Sequence, residues 1–530
     1  MSNEKREKSE RRIAMNNRIG FGALHSLTQR RRERVRFAGL LAMLAVLPAM
    51  AEEQEIRPEI AANSVSVSQK EDSPLVEIAY TLTGEPAIVT IAIETNTLAD
   101  AAGDWVAVNG KGMEELLGEA NKIVYTLDTP LKAYWKPSAE FNGNVLTRGT
   151  VRATVTAWPT NNPPNYMVVD LLPLNEQESL FPKRRYRYYA TTNELPGGVE
   201  DVRYRTSKFL MRKIPAKNVV WWMGSPMRIG DEGWDTVNHV PHKVKLTEDY
   251  YAGVFELTIG QLKAADAFDK FPKTNFTDYA QSEVADLLPA ERIGHYIEYL
   301  RGLNGYSKFY GYMSTFYGED FAAEEEKRKY YQYFQRGHEV AHGSVIDILR
   351  KRTGIVNLDL PSEAQWEFAA RAGSNTRLPC NMEYSQNNAY LFASIRGNQY
   401  THNGLGVTGP MPVGSLKPND WGLYDVLGNV SEICLDFRGV GDDLPRFKES
   451  LEPGWDTGAV TVDPYGVQDA GRNMVRGWNW REGADTEAAL ESEGLDRRYQ
   501  YQLTSPNSKP KVRRGYIGVR LFCPVVGNVK

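Results

Sequence analysis

Apolar and polar positions alternate along several short runs between residues 64 and 172. Val76–Leu82 and Ala87–Ile93 show this period of two and are separated by a turn that contains Gly and Pro. Thr150–Trp158 and Tyr166–Leu171 show the same alternation further along the chain. A period of two is typical of strands with one buried face, and turn residues between such strands favour antiparallel pairing. The pattern predicts a small all-β, sandwich-like domain over residues 64–172.

The remainder of the chain is predicted to form loops with a few helices. Residues 173–203 are charged and aromatic without a clear period and are interpreted as a linker, so that a second domain occupies 204–530. Thr258–Phe268 has apolar residues at helical spacing. Pro361–Ala372 begins with Pro and Ser, carries an acid early and is followed by Gly, which are helix start and stop signals. Residues 302–336 are interpreted as an insertion with a solvated charge run.

The length of the chain limits the number of domains, and its cysteine content limits the kinds of disulfide and metal site. A chain of 530 residues is expected to form two or three domains. Only three cysteines occur, Cys380, Cys434 and Cys523. Their odd number and wide spacing exclude a disulfide framework and a metal-binding CxxC motif, although one bridge could form.

Charge is distributed unevenly along the chain. The net charge is −4, but residues 1–36 contain eleven Lys or Arg and only four acids, so the rest of the chain carries −11. An acidic protein gains nothing from counterion release on nucleic acid. We therefore expect no nucleic-acid partner, and we interpret the basic run as a targeting segment.

The N-terminus has the three parts of a secretory signal. The basic run is followed by the apolar stretch Phe37–Leu47 and then by Ala49-Met50-Ala51. This order predicts a signal peptide over residues 1–51, cleaved near Ala51, and a polar linker over 52–63. Export to the periplasm, the cell surface or the medium follows. The alternative is an uncleaved anchor, the one case in which we expect membrane association.

Several short segments of the second domain carry a distinctive set of residues in a fixed order. They are Met223–Pro226, Val240–Leu246, Tyr251–Thr258, Leu360–Gly373, Pro412–Gly414, Pro418–Val430, Val475–Gly477 and Gly518–Leu521. Together these segments resemble a domain of the formylglycine-generating-enzyme (sulfatase-modifying factor) family over roughly residues 205–525. The resemblance implies an α+β fold: a loop-rich, C-type-lectin-like domain, here preceded by the small all-β domain.

The resemblance also implies a structural calcium ion. The positions that match the family's site are the side chains of Asp425 and Glu432 and the carbonyls of Gly428 and Val430, with Glu256 reaching in from an early strand. A hard cation that takes several oxygens can hold together loops that lack a large core. The alternative is that Asp425 and Glu432 only cap turns.

A second calcium site of the family is matched less completely. The corresponding positions are Asn388, Ala389, Asn403 and Leu405, aligned with gaps. Asn403 stands where the family has an aspartate, so this site has lost a negative charge.

The family's catalytic thiols are missing. The resemblance implies two cysteines, five residues apart, shortly after Arg476, that bind copper(I) and oxidise a substrate cysteine to formylglycine. Glu482 and Glu487 occupy those positions. Carboxylates are hard ligands and bind Cu(I) poorly, so copper and formylglycine formation are not expected.

A competing metal motif lies at the end of the insertion. His338-Glu339-Val340-Ala341-His342 is a literal HExxH sequence. On a helix both imidazoles would share a face and could bind zinc, with Glu363 as a third ligand, which would make the protein a zinc hydrolase. The alternative is an accidental match outside the structural context that the motif needs.

Two classes of function stay open at this point. The first is a calcium-stabilised binding or scaffold protein that presents a lectin-like cleft to a protein, peptide or glycan. The second is an enzyme, either an oxidase with an altered active site or the zinc hydrolase. The residues expected to line the cleft, if they are not ordinary packing and surface charge, are Arg476, Trp478, Trp480, Arg497 and Arg498. Arg forks and aromatic faces suit anionic or sugar ligands.

Overall fold

The computed structural model describes most of the chain after residue 55. The described residues are 56–69, 73–96, 104–114, 116–137, 150–173, 185–224, 242–270, 282–291, 300–301, 340, 342–383, 385–402, 407–438, 460–464, 472–481, 499–502 and 516–525. The predicted signal peptide and the whole of the predicted insertion at 302–336 lie outside these residues.

Two antiparallel sheets form the first part of the described chain. Their strands are β1 (Glu59–Ile60), β2 (Ser66–Gln69), β3 (Val76–Thr83), β4 (Ala87–Asn96), β5 (Trp105–Ala107), β6 (Leu117–Gly118), β7 (Lys122–Val124), β8 (Pro130–Trp135) and β9 (Val151–Pro159). One sheet has the order β1-β3-β8-β6, with β2 also on β3, and the other has the order β5-β4-β7, with β9 also on β4. A 3-10 turn, Gly110–Gly112, lies between β5 and β6.

The alternating pattern of β3 is buried as its sequence predicts. Every second residue of this strand, beginning at Val76, is buried. Ile78 and Trp135 from one sheet and Ile91 from the other belong to a single apolar core. The two sheets therefore bury their apolar faces in one core. That they form a sandwich module separate from the rest of the chain stays a prediction.

A third sheet extends across the segment that the sequence suggested as a linker. It comprises β10 (Tyr166–Asp170), β11 (Tyr186–Tyr189), β12 (Lys208–Ile214), β15 (Tyr250–Gly253) and β25 (Phe522–Pro524), in the order β11-β10-β12-β15-β25. The sequence placed β10 at the end of the first domain, whereas the structure pairs it with β11 and β12. Three consecutive buried residues in β10 explain the difference, because a strand covered on both faces suits an interior position.

The other strands form smaller sheets. They are β13 (Val220–Met223), β14 (His242–Lys245), β16 (Ala393–Ser394), β17 (Tyr400–His402), β18 (Val407–Gly409), β19 (Leu427–Gly428), β20 (Ser431–Arg438), β21 (Val460–Val462), β22 (Arg472–Arg476), β23 (Tyr499–Gln502) and β24 (Ile517–Gly518). They pair as β13-β14-β21, β16-β19, β17-β18 and β23-β22-β20-β24. Both parallel and antiparallel pairs occur, as in a mixed, loop-rich fold.

The described helices are short and capped. They are α1 (Ile259–Ala264), α2 (Val345–Thr353), α3 (Glu363–Arg371) and α4 (Gln386–Ala389), with 3-10 turns at Thr192–Glu194, Val202–Arg205, Phe268–Lys270, Ala285–Leu287 and Pro379–Asn381. The predicted helix at 361–372 is confirmed as α3. Ser362 and Gln365 form a capping box at its start, and Ala372 ends it in the left-handed conformation. The predicted helix at 258–268 is confirmed in its first half, as α1.

Within the described residues, no helix is long and apolar enough to cross a membrane.

Candidate functional site

Three carboxylates meet in the interior next to the strand pair β20–β24. Glu256 follows β15, Asp425 precedes β19 and Glu432 lies on β20. Their side chains belong to residues that are 0%, 3% and 1% exposed, respectively. We call Glu256, Asp425, Glu432 and the neighbouring Arg520 the carboxylate cluster. Its members include all three of the carboxylates that the sequence assigned to calcium.

Arg520 is the positive charge of the carboxylate cluster. Its Nη2 lies 2.7 Å from Glu432 Oε1 and its Nε lies 3.0 and 3.1 Å from the two oxygens of Glu432. Trp366 Nε1 donates to Glu432 Oε2 at 2.6 Å. Arg520 also donates to the carbonyls of Gly253, Val254 and Tyr424. The guanidinium therefore joins β15, β20 and the loop before Asp425.

The other two carboxylates accept hydrogen bonds from the loops they hold. Glu256 Oε1 accepts from the Val430 N–H at 3.0 Å and Oε2 from Asn429 Nδ2 at 2.7 Å. Asp425 Oδ2 accepts from the Gly414 N–H at 2.6 Å. These bonds order the segment 425–430 in which the sequence expects calcium-binding carbonyls.

The backbone conformation and the close packing at position 428 require a glycine. Its φ is 78°, and a Cβ at this position would collide with the backbone of Ser394 in the paired strand β16. A side chain would be strained by the positive φ as well. Glycine therefore brings β16 and β19 close together beside the carboxylate cluster.

The carboxylate cluster contains more acidic than basic side chains. Burial raises the pKa of Glu256 well above its usual value, and the charges of Asp425 and Glu432 raise it further. Burial likewise raises the pKa of Asp425 to about 6, although Gly414 and Arg520 oppose the shift. Within the cluster three carboxylates face one guanidinium, and Arg205 acts on Asp425 from outside it, so full ionisation would leave an excess of negative charge. Such a cluster is stabilised by protons or by a bound cation.

A calcium ion fits the carboxylate cluster in charge and in ligand type. Asp425 Oδ1 has no hydrogen-bond donor among the described residues, whereas both oxygens of Glu432 are occupied by Arg520 and Trp366. Among the described residues, no group of three or more His, Cys, Asp or Glu is arranged to hold a metal ion. Glu432 would therefore have to exchange a donor before it could coordinate an ion, and the calcium site stays a prediction.

The second expected calcium site is described only in part. Asn388 is half-buried near the end of α4 and its Nδ2 donates to the Glu383 carbonyl, while Ala389 is buried. Asn403 and Leu405 lie outside the described residues. This site also stays a prediction.

The three cysteines lie in unrelated environments. Cys434 on β20 and Cys523 on β25 are fully buried in different apolar cores, and burial raises the pKa of both thiols. Cys380 is half-buried in a 3-10 turn, and burial raises its pKa to about 11. The positions that match the family's thiols, Glu482 and Glu487, lie outside the described residues. None of the three cysteines is a thiolate at neutral pH.

The residues expected to line a cleft are instead interior residues, which corrects the prediction for three of the five. Arg476 on β22 is fully buried, 3.2 Å from Glu363 and in contact with Glu367. Trp478 is fully buried in an apolar core, and Trp480 is 6% exposed. Arg476 at the end of β22 and the two tryptophans that follow it belong to a run, residues 474–480, that is buried throughout, so the guanidinium and the rings are used inside the fold. Arg497 and Arg498 lie outside the described residues.

The two described residues of the HExxH motif, 340 and 342, do not lie in a helix. Val340 lies in irregular structure and His342 is exposed in a turn, three residues before the first residue of α2. Glu363, the proposed third ligand, is buried at the start of α3 and pairs with Arg476. Neither Val340 nor His342 is helical, so the described residues do not show the helix face that would bring two imidazoles together, and the zinc site stays a prediction. His338 lies outside the described residues.

Sequence reasoning missed Arg520 as a member of the cluster. The signal was present, because Arg520 is the charged residue within the apolar run Ile517–Phe522. A charge in a buried segment must be paired. Glu291 accepts a hydrogen bond from Trp480 Nε1 at 3.2 Å. The sequence analysis missed it because Glu291 does not lie in a comparable apolar run.

Residues 305–522 match the family model described as Sulfatase-modifying factor enzyme 1-like domain. The chain therefore carries a domain of the sulfatase-modifying factor family, to which the formylglycine-generating enzymes belong. The family resemblance drawn from the short sequence segments is confirmed.

Curated relatives and a solved structure are similar to parts of this chain. The formylglycine-generating enzyme of Thermomonospora curvata is 37% identical over 143 residues, which cover 26% of this chain and 44% of the relative. The formylglycine-generating enzyme of Streptomyces coelicolor is 27% identical over 165 residues, which cover 30% of this chain and 45% of the relative. The solved structure of Treponema denticola variable protein 1 has a TM-score of 0.35 and 20% identity, and the match covers 60% of this chain and 95% of that one. A TM-score of this size supports no conclusion. The chain spans less than half the length of these two curated relatives.

Proposed function

We propose that this protein is an exported sulfatase-modifying-factor family member that binds a ligand instead of oxidising a cysteine. Calcium stabilises its loops, and the ligand is a protein, peptide or glycan held in the lectin-like cleft. One observation carries the proposal: carboxylates stand at 482 and 487, and no cysteine lies nearer to them than Cys434 and Cys523.

The chemistry of the thiols supports a loss of copper. Cu(I) is a soft ion that selects thiolates, and its binding here would need two cysteines that approach each other. Cys434 and Cys523 are enclosed in separate apolar cores, where burial keeps both thiols protonated. The enzymatic alternative, oxidation with an altered active site, has no observation in its favour.

Calcium would be held by the Asp425 side chain and the carbonyls of Gly428 and Val430. Glu256 supplies further negative charge nearby, and Glu432 could join if Arg520 or Trp366 gave way. The support for this part is the excess of buried negative charge around Asp425. A bound ion would hold the segment 425–430 against β15 and β20 without any role in catalysis.

The ligand-facing surface is expected to include the segment after β22. Arg497 and Arg498 are two cationic side chains of that segment, and guanidinium groups suit carboxylate, sulfate or sugar ligands. Export places such a binding protein where extracellular peptides and glycans occur. The basic segment, the apolar stretch and the Ala-x-Ala site of residues 1–51 are the support for export.

Peptide oxidation tests the proposal. The protein is incubated with copper, a thiol reductant, oxygen and a cysteine-containing peptide, and aldehyde formation is followed by mass spectrometry. We expect no aldehyde and no tight Cu(I) binding. The double variant Glu482→Cys/Glu487→Cys is expected to gain Cu(I) binding, whereas Glu482→Ser/Glu487→Ser is not. Copper-dependent aldehyde formation by the unaltered protein would refute the proposal.

A further inference from the structure

The sheet β13-β14-β21 ends in a strand whose apolar side chains are exposed. β21 pairs with β14 in parallel, and within the part of the chain that the structure describes it has no other strand partner. All three residues of β21 are exposed, Val460 by 37% and Val462 by 51%. An uncovered edge strand is a template for pairing with another chain.

The backbone of β21 directs hydrogen-bonding groups to this edge. The Asp463 N–H donates to the Lys245 carbonyl at 2.9 Å, so the backbone groups of Asp463 face β14. Because these groups of successive strand residues point to opposite edges, those of Val460 and Val462 point away from β14. Among the described residues, no backbone group bonds to them there.

Six side chains share the outer face of this sheet, in two rows across its strands, Val220-Lys245-Val462 and Trp222-Lys243-Val460. The other face includes Val244, which is fully buried in an apolar core. Val220 is 51% exposed. The outer face is therefore an apolar surface that carries two lysines.

The two lysines of the outer face lack an acidic neighbour. The Nζ of Lys243 lies 5.2 Å from the centre of the Trp222 ring, and neither lysine forms an ion pair with any residue that the structure describes. Asp463, the acid next to β21, accepts instead from the Thr247 N–H at 2.8 Å and from its hydroxyl at 2.6 Å. The charge of the outer face is thus suited to an acidic partner.

We propose that β21 binds an extended acidic peptide segment of a partner protein as a fourth strand of this sheet. Such a strand satisfies the outward backbone groups of Val460 and Val462, and main-chain bonds of this kind supply affinity in strand addition. None of the residues involved belongs to the carboxylate cluster or to the cleft expected from the sequence, so the inference does not rest on the proposed function.

The distances allow acidic side chains of the added strand to reach the lysines. The added strand lies two strand spacings from β14, about 9–10 Å. Extended lysine and glutamate side chains reach about 5 and 3.5 Å beyond their Cβ atoms, and an ion pair adds about 3 Å between the charged atoms. The pairs therefore form above Val460 and Val462, whose methyl groups are then covered by the apolar stems of both side chains.

Fluorescence anisotropy of a fluorescein-labelled peptide tests the proposal on the full chain. The probe Thr-Glu-Thr-Glu-Thr-Glu-Thr presents its glutamates on one face of a strand and its threonines on the other. We expect saturable binding of this probe. The peptide Thr-Lys-Thr-Lys-Thr-Lys-Thr has the same alternation and the opposite charge, and we expect it to bind at least tenfold more weakly.

Methylated backbone amides test whether the peptide binds as a strand. In one form of the probe the glutamate N–H groups are methylated, and in the other form the threonine N–H groups are methylated. Alternate N–H groups of a strand face the same edge, so only one of the two forms is blocked from pairing with β21. We expect one form to lose binding and the other to keep it; loss in both forms or in neither would overturn the proposal.

Two variants at position 462 test the edge from the side of the protein. Val462→Pro removes the outward N–H and leaves the N–H groups that face β14, and an edge strand tolerates proline at such a position. We expect this variant to lose binding of the acidic probe. Val462→Thr keeps the N–H and the branched shape, and we expect it to bind as the unaltered protein does. Circular dichroism checks that both variants fold.

A lysine pair tests the charge. Lys245→Gln is expected to weaken binding of the acidic probe about fivefold, the effect of losing one surface ion pair. Lys132→Gln is the matched control, because Lys132 lies on β8 in another sheet and its side chain is 54% exposed. We expect this control to bind as the unaltered protein does.

Four further outcomes would overturn the proposal. The acidic probe does not bind, the lysine peptide binds as tightly as the acidic probe, Val462→Pro binds as the unaltered protein does, or the two lysine variants have equal effects. Each of these results is independent of copper, calcium and peptide oxidation, so it leaves the proposed function untouched.

Discussion

Replacing Arg520 with methionine removes the positive charge of the carboxylate cluster while keeping a long apolar side chain. Arg520 is 1% exposed and makes its ion pair with Glu432, which is equally buried. The variant also removes the donors to the carbonyls of Gly253, Val254 and Tyr424. Breaking one partner of a buried ion pair costs about 3–5 kcal/mol, because the other charge is left without compensation. We predict a loss of this size in the free energy of unfolding.

The loss should depend on pH. Burial raises the pKa of Glu256 and that of Asp425, the latter to about 6, and Arg520 opposes both shifts. Without Arg520 both pKa values rise further. A carboxyl whose pKa is higher in the folded chain than in the unfolded chain stabilises the fold while protonated, and this stabilisation is lost as pH rises through the folded pKa. The variant should therefore be more strongly destabilised at pH 8 than at pH 5.

Urea unfolding followed by tryptophan fluorescence, in buffer with EGTA, measures both effects. Arg350→Met is the control, because Asp359 keeps Arg301 at 2.6 Å when Arg350 at 3.1 Å is removed. We expect this control to lose less stability than Arg520→Met. A loss below about 1 kcal/mol for Arg520→Met, or equal losses at both pH values, would refute the reasoning about uncompensated buried charge.

Two further predictions follow from the same region and from the thiols. Gly428→Ala should lower the melting temperature by several degrees in a thermal scan, because its φ of 78° and the adjacent Ser394 backbone leave no room for a Cβ; an unchanged melting temperature would contradict this. Cys434 and Cys523 should react with iodoacetamide only after unfolding, whereas labelling of Cys380 should rise about tenfold per pH unit up to its pKa of about 11. Labelling of Cys434 in the native protein at pH 7, read by peptide mass spectrometry, would argue against its burial.

Helix caps and hydrophobic alternation predicted helices and strands well where the same residues are also buried in the fold. The Ser362 cap, the early acid and the glycine after Ala372 define α3 in the sequence, and the structure reproduces this helix. Alternation predicted β3 for the same reason, because the period of two and the buried face coincide. The strand Tyr166–Asp170 was recognised, but its partners could not be, since pairing over long separations leaves no local pattern.

Site residues were harder to predict than elements. Asp425 and Glu256 were expected close together and are close. Arg476 and Trp478 were placed in a cleft because Arg and Trp often bind ligands, but both lie in the interior. Whether an Arg is used in packing or recognition depends on the acids that meet it. For Arg476 those acids are on α3, more than a hundred residues earlier.

Metal content is the most direct measurement of the central claim. Elemental mass spectrometry on protein purified from residue 52 onward, without chelator, reports which ion the chain retains. We predict calcium without stoichiometric copper, and a melting temperature that falls when EGTA is added. Stoichiometric copper would contradict the loss of the thiol site, and protein that holds no calcium and is insensitive to EGTA would contradict the role of the carboxylate cluster.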